Sequence, residues 1–151
     1  MGITFDFIVR AEPRPQPRPK AARIAGRIRI YTPATASLYK AAVQAAVKEA
    51  VDFDATPIDS PILLEGEFVM RRVKRLRKDQ INEPHVAKPD LDNLIKSTQD
   101  AIVDAGIFRD DCLIRGLNFT KRYANPDEAP HARILIVVES FQGIDTIKAE
   151  D

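Results

Sequence analysis

Residues 88–96 read KPDLDNLIK and residues 106–111 read GIFRDD. In the first stretch two carboxylates, Asp90 and Asp92, flank a single leucine, and Lys96 follows the second by four residues. In the second, Asp110 and Asp111 come shortly after a glycine. The plainest role for the first pair is structural: Asp90 follows Pro89 and precedes a helical pattern, so it suits an N-cap, and Asp92 complements the helix dipole from the first turn. A chemical role is also open. Three hard carboxylates with little histidine or thiol suit Mg2+ or Mn2+, which prefer oxygen ligands and complete their shells with water and phosphate; the same set argues against zinc. Such an ion polarises a phosphodiester, activates water and stabilises the departing oxygen. Lys96 lies one turn beyond Asp92 on the same face, where it would meet developing negative charge or orient the attacking water. Asn93 and Asp100 lie close to that polar stripe as supporting groups.

These residues need elements to hold them. Leu91, Leu94, Ile95, Thr98, Ile102 and Ala105 recur every three or four residues, and Gly106 suits the position past a helix end, which predicts a helix from Asp90. Ile3, Phe5, Phe7 and Val9 alternate with polar residues and predict an opening strand. Prolines at 13, 15, 17 and 19 forbid regular helix, so residues of about 11–31 read as a flexible basic arm. Thr32-Pro33 opens a first helix running to about Val51. A strand is expected over ILLEGEFVM, a basic loop over about 71–88, strands over 112–123 and ARILIVVE, and a frayed tail over about 141–151. Asp110 and Asp111 can return toward the helix start only if strand 112–123 lies beside the helix. The expected fold is α/β, a small mixed sheet of about four strands with two helices in an α+β sandwich, in the order strand-helix-strand-helix-strand-strand. A length of 151 residues suits one domain, 1–151.

Net charge is +1, but residues 1–88 carry 16 basic against 10 acidic side chains and residues 89–151 carry 7 against 12. The asymmetry hints at a polyanion gripped by the basic half. One cysteine excludes an internal disulfide; Cys112, in the run DCLI, is expected to be a buried inert thiol. The longest aliphatic run, ILIVV, is too short to span a bilayer, so a soluble, cytoplasmic protein is expected, with no membrane partner. His85 and His131 lack ligand spacing and are expected at the surface, as is Asp104.

KPDLDNLIKSTQDAI, then GIFRDD, then a strand ending TKRYA resembles the signature of the RusA family of crossover-junction endodeoxyribonucleases, often encoded by prophages. The likeness is strongest from about Val86 to Tyr123. It implies that Asp90 and Asp92 are the paired acidic positions, Lys96 the active-site lysine and Asp111 the third carboxylate, with Asp110 its neighbour. It further implies a homodimer that binds a four-way DNA junction and, with Mg2+, nicks opposing strands symmetrically in recombination, repair or phage DNA processing; Mn2+ is expected to substitute. No aromatic occurs between Phe68 and Phe108, so the basic loop offers no ring to wedge between bases.

Arg14, Arg18, Lys20 and Arg23 in the arm, Arg71, Arg72, Lys74, Arg75, Arg77, Lys78 and Lys88 in the loop, and Lys121 on the following strand are candidates to follow DNA backbones, giving affinity and salt dependence. Two rivals remain. One is a transferase using D-x-D to hold a nucleotide diphosphate, although no Gly-rich phosphate loop is present among six glycines. The other is a branched-DNA-binding module without catalysis, its acids only capping a helix.

Overall fold

In the structure, a computed structural model, residues 2–16, 20–31, 34–51 and 57–139 are described. Strand β1 is Ile3–Val9; β2, Lys20–Ile24, and β3, Arg27–Tyr31, form a hairpin; helix α1 is Ala34–Ala50. Then come β4, Ile62–Met70; α2, Leu91–Asp104; a 3-10 turn, Asp111–Leu113; β5, Ile114–Tyr123; and β6, His131–Val138. The main sheet has the order β1-β6-β4-β5, with β4 and β5 parallel and the other pairs antiparallel. Parallel neighbours need a long connection, and here it contains α2. This is the small mixed-sheet α+β fold expected.

Alternation sorts the strands. Phe7, Val9, Ile62, Leu64, Phe68, Ala132, Ile134 and Ile136 turn to one face and are buried in a core shared with Tyr39, Val43 and Val47 of α1 and Leu94, Ala101 and Ile102 of α2. The two helices are joined by a buried hydrogen bond between Tyr39 Oη and Thr98 Oγ1, 2.7 Å. Gly66 is required on β4: a Cβ there would lie 2.4 Å from the Arg133 carbonyl oxygen and 2.7 Å from Phe119, whose ring stacks on Phe68 at 5.2 Å. The opposite face is polar. Arg133 pairs with Asp6 at 2.8 Å, and Arg122 joins Glu67 at 3.0 Å and Glu128 at 2.6 Å.

The arm is more ordered than its prolines imply. Residues 20–31 pair from Lys20↔Tyr31 to Ile24↔Arg27, closed by Ala25 and Gly26, both in the left-handed region at φ 51° and 76°. Two such residues in succession match the twist of a tight hairpin, and the alternation Arg27-Ile28-Arg29-Ile30 supplies the strand. The helix start at Thr32-Pro33 and the tail at 141–151 lie outside the described residues.

Candidate active site at the start of the second helix

Asp90 occupies the N-cap of α2 with extended backbone, φ −67° and ψ 146°, yet its side chain makes no cap hydrogen bond. Its carboxylate instead receives Lys88 Nζ at 2.9 Å, and both groups are exposed. Asp92, in the first turn, is exposed and, among the described residues, accepts only from the Asn93 N–H at 3.0 Å. Lys96, one turn on, is exposed and has no ion pair or hydrogen bond among the described residues. Three charged groups on the first two turns of α2 therefore face solvent with little internal work to do.

The segment leading into α2 is tied to β5. His85 N–H donates to the Lys121 carbonyl at 3.2 Å, and Tyr123 N–H donates to the Glu83 carbonyl at 2.8 Å. Lys121 Nζ donates to the carbonyl oxygens of both Ala87 and Pro89, each at 2.7 Å. The His85 ring lies 4.7 Å from the Tyr123 ring, and Arg75 sits over the same ring at 5.6 Å while donating to Tyr123 Oη at 3.0 Å.

Asp110 and Asp111 stand in the connection between α2 and β5. Asp110 caps the 3-10 turn by accepting from Cys112 N–H at 3.0 Å, and that donation holds its carboxyl below the ordinary range. Asp111 is pushed above it, first by the hydrogen bond it shares with Asp110, then by that residue's charge, with a further push from Asp100. A nearby cation would relieve this like-charge crowding. Asp100 lies eight residues past Asp92, about 12 Å along the helix. No three His, Cys, Asp or Glu side chains among the described residues stand together as a metal-binding group. The chain thus assembles Asp90, Asp92 and Lys96 on one helix and Asp111 beside Asp100, without gathering the three carboxylates around one point.

The basic candidates divide by what already occupies them. Arg14 and Arg71, from arm and loop, converge on Glu12 Oε2 at 3.0 and 2.9 Å, and Ser97 Oγ donates to the Arg14 carbonyl at 2.5 Å, laying the arm across α2. Arg72 is spent internally: it donates to the carbonyls of Gln80, Ala124 and Arg77 and so folds the basic loop. Arg75 is held by Tyr123, and Arg77 by Asp79 at 3.1 Å. Lys74, Lys78 and Arg23 are exposed. Lys20 is placed by its backbone alone in β2, and Arg18 lies outside the described residues.

Two expectations are corrected. Cys112 is exposed, because Asp110 folds the residues ahead of β5 into a turn on the surface; burial of the sulfur's immediate surroundings and the Asp110 charge push its thiol up. His85 is 7% exposed rather than a surface residue, and its Nδ1 has no hydrogen-bond partner among the described residues. Burial, then the Lys121 charge, pushes its imidazole down. Tyr123, given no role from the sequence although it ends the TKRY stretch, is the ring on which His85 and Arg75 lean. Asp104 does face solvent, paired with Lys40 at 2.6 Å, and His131 is half-buried, its Nδ1 2.9 Å from the Ala129 carbonyl oxygen.

An exposed Asp-x-Asp-x3-Lys helix start thus stands on a small mixed sheet in a chain that also carries a basic arm and a basic loop. The family model for Endodeoxyribonuclease RusA matches residues 11–137, and the chain belongs to that family. No curated protein matches the chain. No helix among the described residues is long and apolar enough to cross a membrane.

Proposed function

We propose that this endodeoxyribonuclease is a divalent-metal-dependent resolvase of four-way DNA junctions, acting as a homodimer in recombination, repair or phage DNA processing. The observation that carries the reading is Asp90: it holds the cap position of α2 and exposes its carboxylate, and no capping hydrogen bond occupies it.

The donors fit a hard cation in part. Asp90 and Asp92 offer exposed oxygens, as Mg2+ or Mn2+ requires, and leave most of the shell to water and phosphate. When bound, the ion would supply charge to the scissile phosphate and acidify water. Lys88 neutralises Asp90 in the metal-free chain and would exchange that carboxylate for a DNA phosphate. Lys96, in the second turn of the helix and without an ion pair or hydrogen bond among the described residues, can meet charge that develops on the phosphate. Asn93 and Asp100 support the stripe. Asp111, in the turn ahead of β5, is the third carboxylate of the reading, with Asp110 its neighbour. Arg14, Arg71, Lys74 and Arg23 form the surface expected to follow DNA backbones, while Arg72 and Arg75 shape the loop that carries it.

The test incubates purified protein with a labelled four-way junction and a matched linear duplex, in Mg2+ or EDTA, beside Asp92→Asn. The expected result is paired symmetric nicks confined to the junction, absent in EDTA, and lowered more than about 100-fold by the substitution while junction binding persists. Binding without cleavage in both Mg2+ and Mn2+ would leave a junction-binding protein and defeat the enzyme reading.

A further inference from the structure

We infer that Lys121 is a positioning residue that sets the backbone in front of the catalytic acids and does not contact phosphate; the inference rests on the nuclease reading only for its effect on cleavage. An ammonium has three hydrogens and no acceptor. Two of them are committed, at 2.7 Å each, to the carbonyls of Ala87 and Pro89, which bracket Lys88 and immediately precede Asp90. Such charge-assisted bonds are among the strong ones. The strand register explains why the side chain is there. Lys121 pairs with Phe68 and shares its face of the sheet with Phe119 and Tyr123, so it rises from the sheet toward the segment that enters α2.

The brace has a second layer. Lys121's own carbonyl accepts from His85 N–H, and the His85 ring is packed against Tyr123 two residues further along β5. Residues 85, 87 and 89 are thereby fixed to one strand at three successive points. Asp90 is the next residue. Its carboxylate direction depends on that backbone, since its own side chain takes no part in capping. A misplacement of about 1 Å at reacting groups can cost about 100-fold in rate. A lysine whose ammonium is committed to the carbonyls on either side of Lys88 is therefore placed to affect turnover without touching substrate.

Lys121→Met keeps the aliphatic stem and removes both bonds and the charge; Lys121→Gln restores an N–H donor without charge. Three readings separate the possibilities: junction affinity in EDTA across a salt series, single-turnover cleavage at saturating protein, and amide hydrogen exchange in the free protein. The expected result for Lys121→Met is affinity within about twofold of wild type, an unchanged salt slope and a cleavage rate lowered by about 30-fold or more. Lys121→Gln should recover part of that rate, and amides near residues 87–91 should exchange faster while those of β6 do not. A weaker complex with a salt slope reduced by about one, and an unchanged rate at saturation, would overturn the inference in favour of a phosphate contact. So would unchanged exchange near residues 87–91. Should Lys121→Met fail to fold, Lys121→Gln carries the same comparisons. An inactive wild type would defeat the nuclease reading alone, because exchange tests the brace without cleavage.

Discussion

Asp90 and Asp110 each stand one residue ahead of a helical turn, and only Asp110 caps: it accepts from Cys112 N–H, while Asp90 pairs with Lys88. Position in the chain is the same and the work is different, which is why sequence alone left the capping role of Asp90 open. The pair at 110 and 111 adds a test. Asp111 is raised because Asp110 shares a hydrogen bond with it and carries like charge. Asp110→Asn removes the charge, so the Asp111 carboxyl is expected to titrate at lower pH, as read by carboxyl carbon shifts in a metal-free NMR titration. An unmoved Asp111 would mean that the crowding comes from Asp100 instead. The histidine and the cysteine were misread for different reasons: Tyr123 packs on His85 from a distant strand, whereas Asp110, only two residues from Cys112, turns the chain at the surface where the apolar letters after it suggested burial.

Among elements, α2 and β4 were legible nearly to the residue, because each has a clean period and a clear stop: Gly106 at φ 81° past the helix, and Pro61 ahead of the strand. The hairpin was missed because the prolines before it dominated the reading, although Ala25-Gly26 followed by Arg27-Ile28-Arg29-Ile30 carries a turn and a strand. The relation between the helix and the second acidic pair was not legible. A connection of six residues between Asp104 and Asp111 leaves open which end of α2 the next strand starts from, and here it starts from the far end. The placing of α2 rests partly on the Tyr39–Thr98 bond, which is buried and links it to α1. Tyr39→Phe leaves the Thr98 hydroxyl without that partner and is expected to cost about 1–2 kcal/mol in urea unfolding. Tyr39→Phe combined with Thr98→Val should cost less than the sum of the single changes, and strict additivity would argue that the bond contributes nothing.

For the whole molecule, the polar face of the sheet governs the response to acid. Glu128 is pulled from 4.5 down to about 2, chiefly by its hydrogen bonds with Arg122, with a further contribution from the Asn125 N–H. A carboxyl depressed in the folded state gives stability that is fully present above its unfolded value and lost as pH falls through the folded one, here between 4.5 and about 2. Glu128→Gln should therefore narrow the difference in unfolding midpoint between about pH 6 and pH 3, read by urea titration at each. An equal pH dependence in wild type and variant would show that other carboxylates govern acid unfolding. The same network joins β4, β5 and the turn ahead of β6, and Asn82 and Asn125 link that turn to the basic loop.

In the main sheet β1 has a single neighbour, and that neighbour is β6, paired from Ile3↔Val138 to Val9↔Ala132. During synthesis on the ribosome, the first strand must wait for β6 before it gains a partner in the sheet. β4 also borders β6, so a nascent chain halted ahead of His131 keeps the β4–β5 pair and has nothing to join β1 to it. A chain cut short there would carry unpaired strand edges, the template on which separate chains add to one another.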